Sequence, residues 1–199
     1  MAYDILYAKL RALDNPINEN LWQEIQTNST VIDIKKNKVL IDVGSRHKYG
    51  YFVVLGSFVS SIVTEKGDKK AVWFYFDELF NLITAMDSYF LDEPTKYEVK
   101  SLEDSTLIRF NKQHVDLWVL KYPFFSQMYL TDITNNLTAL NEIRAHKLSQ
   151  SPTQFLEYIN QNYPVIIRRV SSKNMAHFLG VSPEWYSKLK KKMGFDFSR

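Results

Sequence analysis

Ser171 to Lys192 reads SSKNMAHFLGVSPEWYSKLKKK, and the order of small, apolar, glycine and basic residues in it decides the fold. Met175, Ala176 and Leu179 lie at helical spacing and predict one buried face of a short helix, with Ala176 small enough for a second helix to cross closely. Gly180 can take the positive φ that ends this helix, and Val181 is placed to fill the angle behind it. Ser182 is a good N-cap, Pro183 suits the first helical position, and Glu184 sits in the positively polarised first turn. A second helix is predicted from Pro183, burying Tyr186 and Leu189 and turning Glu184, Trp185, Ser187, Lys188, Lys191 and Lys192 outward. Together these form a helix-turn-helix. Its outward face suits the major groove of double-stranded DNA. A carboxylate near the helix start can accept from cytosine N4, a lysine one turn on can reach guanine or phosphate, and the last lysines can neutralise backbone charge. Ser182, and Ser171 and Lys173 at the start of the first helix, complete the candidate DNA contacts. The plainer alternative is a solvated basic helix.

The charge distribution agrees with DNA. From Pro164 onward there are eight basic residues (Arg168, Arg169, Lys173, Lys188, Lys190, Lys191, Lys192, Arg199) against Glu184 and Asp196, a surplus of six. The whole chain carries +3, so the first 163 residues sum to −3. A basic end on an acidic body is the electrostatic footprint of a nucleic-acid reader. With 199 residues, 45% of them hydrophobic, the chain can bury an ordinary core and hold a small second domain. The absence of cysteine removes disulfides, thiolate metal sites, cysteine-ligated clusters and thiol switches. There is no signal-like N-terminus and no apolar run of about 20 residues, so a cytoplasmic protein without a membrane partner is expected.

Upstream, Tyr3 to Ile25 reads as short helical segments broken at Asn15 and Pro16. The period then changes. VIDIKKNKVLI (31–41), YGYFVVLGSFVSSIVT (49–64), KAVWFYF (70–76), KYEVKSL (96–102) and STLIRF (105–110) are β-branched and aromatic runs between polar or glycine turns, and Lys66, Gly67 and Asp68 read as a hairpin. Evenly spaced strands of this kind predict a small sandwich or jelly roll. Phe124 to Leu148 reads as a long helix without proline or glycine, on which Leu130, Ile133, Leu137 and Leu140 alternate steps of three and four. That is the seam of a short coiled coil and predicts a homodimer, the alternative being a helix packed on the roll. Ser151 and Pro152 predict the cap and first residue of a further helix carrying Phe155, Leu156 and Ile159 and ending before Pro164. Pro164 to Val170 is an extended connector or a helical turn. The predicted class is α+β: a β-roll over 1–120, a dimerisation helix over 121–149 and a helix-turn-helix domain over 150–199.

In this order the parts resemble the Crp/Fnr family of bacterial transcription regulators, over nearly the whole chain. Val39 to Gly44 (VLIDVG) is similar to the family's L-x-x-x-G entry to the roll, Tyr51 to Ser57 (YFVVLGS) to its Y-F-I-x-x-G strand, and Leu102 to Ser105 (LEDS) to its closing turn. Met175 to Glu184 followed by Ser187 and Lys188 resembles the family's recognition motif, with Trp185 where threonine is usual and Lys188 where arginine is usual. Trp185 can meet a thymine methyl, the sugar-phosphate backbone or the first helix; Lys188 keeps the charge without the fork that reads guanine bidentately. The lysine-rich end of the second helix resembles that of the short Crp/Fnr-like regulators of Bacteroidetes. The resemblance implies a homodimer on a pseudo-palindromic site, and RNA polymerase as a further partner.

For the ligand the departures decide. In members that bind cyclic nucleotides a short helix opens with Phe-Gly-Glu, and an arginine follows to pair with the phosphate. By position the first three fall here on Phe80, Asn81 and Leu82, and the arginine on Thr95, beside Lys96 and Tyr97. Glycine, glutamate and arginine are all replaced, so these six mark a candidate ligand pocket that is not expected to take cAMP. Trp73, Phe74, Tyr75, Phe76, Tyr89, Phe90 and Tyr97 put many rings near the expected cavity, and the reading favoured is that they fill the roll. His47, His114, His146 and His177 show no ligand spacing and read as ordinary surface or helix histidines. With one histidine in the strand region and no phosphate loop, nucleophile elbow or HExxH, neither metal, cofactor nor catalytic residue is expected. The function expected is DNA-binding regulation. The alternative is a ligand-sensing roll that engages a protein through its C-terminal helices.

Overall fold

In this computed structural model, residues 1–11, 17–65 and 67–194 are described. Asn15, Pro16 and Lys66, read as the N-terminal break and part of the hairpin, lie outside them. Helices α1 (Ala2–Arg11) and α2 (Glu19–Thr27) precede five strands, β1 (Ser29–Ile34), β2 (Val39–Ile41), β3 (Tyr49–Leu55), β4 (Ser57–Val63) and β5 (Lys69–Phe76). A two-residue β6 (Leu82–Ile83), the short helix α3 (Met86–Leu91), β7 (Tyr97–Ser101) and β8 (Ser105–Asn111) complete the roll. Two antiparallel sheets result, in the orders β1-β8-β3-β6 and β2-β7-β4-β5. The architecture is the expected α+β jelly roll.

Tyr51, Phe52, Val53 and Val54 are all buried, and only a strand covered on both faces reads as an unbroken apolar run. Inward, Tyr51 and Val53 meet Ile41, Phe58, Val99 and Leu107 between the sheets. Outward, Phe52 and Val54 pack beneath α1, α2 and a helix not foreseen from sequence, α4 (Lys112–Lys121), through Leu6, Ile25, Val115 and Trp118. Asn111 caps α4, its Oδ1 accepting from the Gln113 N–H at 2.9 Å. The long helix α5 runs from Pro123 to Ser149, and α6 (Pro152–Asn162) opens with the expected Ser151 cap, Gln154 reaching back to close a capping box. Pro164 to Arg169 is helical, α7, which settles the open segment.

The second sheet is also covered outside. Ala71, Phe74 and Phe76 of β5 share a core with Ile143 of α5, Phe155 and Ile159 of α6, Ile166 of α7 and Phe178 beyond it. Two of the rings expected to fill the roll therefore face away from it: Phe74 meets Phe178 edge to face at 5.2 Å. Trp73 turns to Phe80 at 4.8 Å. Phe90 and Tyr97 are exposed and Tyr89 is buried at a cavity beside the long helix, leaving Tyr75 packed against the roll interior. His47 departs from its reading as well. It is half-buried, its backbone N–H donates to Ser88 Oγ, and its Nε2 lies 2.9 Å from the Tyr51 hydroxyl. Burial, then the Arg109 charge, pushes its imidazole below the usual range.

Candidate nucleic-acid interface

The turn geometry follows from local chemistry. Helix α8 (Ser172–Leu179) is capped by Ser171, whose Oγ accepts from the Asn174 N–H at 3.3 Å. It ends at Gly180, which takes φ +77°. The Val181 N–H reaches the Ala176 carbonyl at 3.0 Å and the Gly180 N–H that of His177 at 3.3 Å, the paired closure of a Schellman turn. Helix α9 (Pro183–Lys192) then starts at its Ser182 cap, whose Oγ accepts from the Trp185 N–H at 3.1 Å. Met175 and Ala176 are fully buried where the two helices cross, with Leu179, Tyr186 and Leu189 around them. Any side chain larger than Ala176 would push α9 off α8.

The surface left over is polar and basic. Ser182, Glu184, Ser187, Lys188, Lys191 and Lys192 are exposed on α9, and Ser171 and Lys173 at the start of α8. Trp185 is 39% exposed, enough indole to reach a partner. The Glu184 carboxyl is held below its usual range by its own backbone N–H and then by the Ser182 hydroxyl, so it stays an ionised acceptor. The structure thus brings all nine expected DNA contacts onto the helix-turn-helix as accessible groups. Two of the basic residues counted toward DNA point elsewhere. Arg169 donates to Asp77 and, at 2.6 Å, to Glu103, and Arg168 lies 3.6 Å from Glu78. Both face the roll. Sequence reading missed this acidic trio and Phe178; the one signal was that KAVWFYF has no polar face, which demands a cover on each side. Arg199 lies outside the described residues.

The six residues marked for a ligand are split. The short helix expected to open at Phe80 begins instead at Met86. Asn81 and Leu82 line a cavity beside α5, whereas Phe80 turns toward the C-terminal unit. Thr95 is buried, its backbone paired with Gly44 and Ser45, while Lys96 and Tyr97 are exposed at the start of β7 in the other sheet. In the first turn of α3 the Asp87 carboxylate accepts from the Ser88 and Lys96 N–H groups, both at 2.9 Å. On α5, Leu130 is 65% and Leu137 54% exposed, with Ile133 and Leu140 half-exposed along the same stripe. No group of histidine and carboxylate side chains able to hold a metal occurs among the described residues, and no helix there is long and apolar enough to cross a membrane.

The sequence matches no protein-family model and no curated protein. Solved structures do match. FixK2 from Bradyrhizobium japonicum superposes with TM-score 0.69 at 12% identity, over 86% of this chain and 89% of that one. CLP, a c-di-GMP-responsive global regulator from Xanthomonas campestris, gives 0.68 at 12% identity, over 90% and 93%. A protein from Eubacterium rectale ascribed to the Crp/Fnr family of transcriptional regulators gives 0.67 at 10%, over 90% and 84%. The chain therefore has the fold of the Crp/Fnr transcription regulators, and its neighbours in fold are regulators rather than enzymes.

Proposed function

We propose that this protein is a homodimeric, DNA-binding transcription regulator that reads a pseudo-palindromic site and does not respond to cAMP. The observation that carries the reading is the exposed face of α9, where one ionised carboxylate, an indole and three lysines stand on a helix fixed by caps at its start. The apolar stripe on α5 supports a parallel pair of these helices, which would set two recognition helices about one turn of DNA apart. Against cAMP stand the missing glycine, glutamate and arginine, and the Asp87 carboxylate, which already takes the Ser88 N–H in the first turn of α3. A phosphate there would meet like charge. RNA polymerase is the further partner of such a regulator at a promoter, and no resident cofactor is needed.

The test is selection of bound duplexes from a random library by the full chain, at low and near-physiological salt, with and without cAMP. The expected result is a two-fold symmetric site whose enrichment cAMP does not change and whose affinity falls steeply with salt. Enrichment of nothing at either salt would leave the C-terminal helices as a protein-binding surface. On the selected site Lys188→Ala is expected to cost about 1–3 kcal/mol, and much less on scrambled duplex. Equal loss on both would make Lys188 a phosphate contact. Leu137→Glu is expected to weaken the dimer by about 3 kcal/mol or more, because the proposed pairing would bury this exposed leucine in both copies, a change read as monomer by sedimentation. An unchanged sedimentation coefficient would remove α5 from the interface.

A further inference from the structure

A cavity of about 460 Å³ lies between the outer face of the first sheet and the helices. Leu6 and Leu10 of α1, Phe52 of β3, Leu82 of β6, Trp118 of α4 and Met128 of α5 form its walls. Protein interiors hold few voids larger than a water, whereas small-molecule sites run to about 300–1,000 Å³. Its polar fringe is balanced. Lys9 and Asp132 both border it, one of each sign; burial raises the Asp132 carboxyl above its usual range against the opposing Asn136 amide, which donates to it at 3.0 Å, and the Lys9 charge. No surplus charge is left to hold an ion, and Asn81, Gln127 and Asn135 remain as neutral hydrogen-bonding groups on the lining.

We propose that this cavity binds a neutral, largely apolar small molecule carrying one hydrogen-bonding group, and that Phe80 and α5 transmit its occupancy to the helix-turn-helix. The transmission rests on the regulator reading; the site does not. Phe80 holds φ +53°, a left-handed backbone that is strained for a bulky side chain. The two residues after it line the cavity, while its own ring packs at a tilt against Trp73 at 4.8 Å and Tyr163 at 5.8 Å. Tyr163 is the N-cap of α7, inside the DNA-reading unit. Helix α5 spans the same two places. Its residues from Phe124 to Asn135 line the cavity, and Ile143 is buried among α6, α7 and α8. A ligand that moves Asn81 and Leu82 therefore acts on a strained residue already in contact with the second unit.

The probe is N-phenyl-1-naphthylamine, a neutral apolar fluorophore, added to the full chain. Saturable binding of one probe per chain is expected. Leu10→Trp and Leu82→Trp, which fill the cavity, should each weaken it at least about tenfold with melting temperature unchanged or raised, and Leu55→Trp, on an exposed site elsewhere, should bind as wild type. The probe should shift affinity for the selected duplex about fivefold or more, a change that Phe80→Ala abolishes while binding the probe normally. Absence of saturable binding, or equal binding by both filled variants, overturns the site. Normal probe binding without any shift in DNA affinity overturns the transmission. Failure to select any duplex speaks against the regulator reading alone, since the fluorescence titration judges the site without DNA.

Discussion

Gly56→Ala is expected to lower folding stability by about 3–5 kcal/mol, a large part of the 5–15 that holds a domain of this kind together. Gly56 joins β3 to β4 at φ +118°, a conformation L side chains rarely adopt. A Cβ there would stand 2.1 Å from Ser105 Oγ, 2.5 Å from its Cβ and 2.9 Å from its Cα. The side chain of Ser105 cannot simply swing aside, because the backbone itself is too close, and β8 runs on from it through the centre of the first sheet. Two costs add: the left-handed backbone and the displaced strand. They can be separated. Gly56→Ala with Ser105→Gly removes the Oγ and Cβ clashes but leaves the φ cost and the 2.9 Å approach to the Cα, so urea unfolding should show part of the loss recovered. A midpoint for the single variant within about 0.5 kcal/mol of wild type would show that the turn relaxes freely.

Arg169→Ala is expected to cost about 2 kcal/mol, less than the 3–5 of a fully buried pair because its groups keep part of their water. Nη1 meets Asp77 Oδ1, Nη2 lies 2.6 Å from Glu103 Oε1, and the guanidinium lies over the Phe76 ring at 5.5 Å. One side chain thus ties α7 to the roll by two carboxylates and a ring. Burial pushes the Asp77 carboxyl up, but Arg169 and the Gly56 N–H outweigh it and hold the group below its usual range. A carboxyl lowered in the folded state stabilises in full above its unfolded pKa, about 3.9, and stops doing so as pH falls through the folded value. The melting difference between wild type and Arg169→Ala should accordingly be large at pH 7 and shrink toward pH 3. Arg169→Lys should recover only part of it, since one ammonium cannot fork between two acids. Equal melting at pH 7 would mean that the apolar contacts alone seat the second unit.

What could be read in the chain and what could not differ by distance along it. Gly180, Ser182 and Pro183 act on their immediate neighbours, so the helix-turn-helix followed from consecutive residues. The roll followed from periodicity and turns. By contrast, Arg169 meets Asp77 across 92 positions, and nothing beside Arg169 distinguishes it from a DNA contact. The split faces of KAVWFYF were hidden by an irregularity in β5, where Ser60 pairs with Trp73 but Ser61 with Ala71, skipping Val72 and putting Ala71 on the side of Phe74. Helix α3 escaped because Ala85, at its N-cap, makes no side-chain cap bond, so the residues before it were counted as its start. Helix α4 did carry a signal, Asn111, which went unread beside the stronger strand before it.

Helix α5 has one more property, a mechanical one. Its 27 residues contain no glycine, and its one proline is the first residue, so it behaves as a stiff rod about 40 Å long. A tilt of about 5° where it borders the cavity would carry its far end sideways by roughly 3 Å. Ser149 hands that displacement almost directly to α6, since only Gln150 and Ser151 intervene. In a symmetric pair of rods both ends would swing together, doubling the change in separation between the two reading heads. On the proposed reading, small motions beside the cavity would be enlarged at the helix-turn-helix, with only those two residues between α5 and α6 to absorb them.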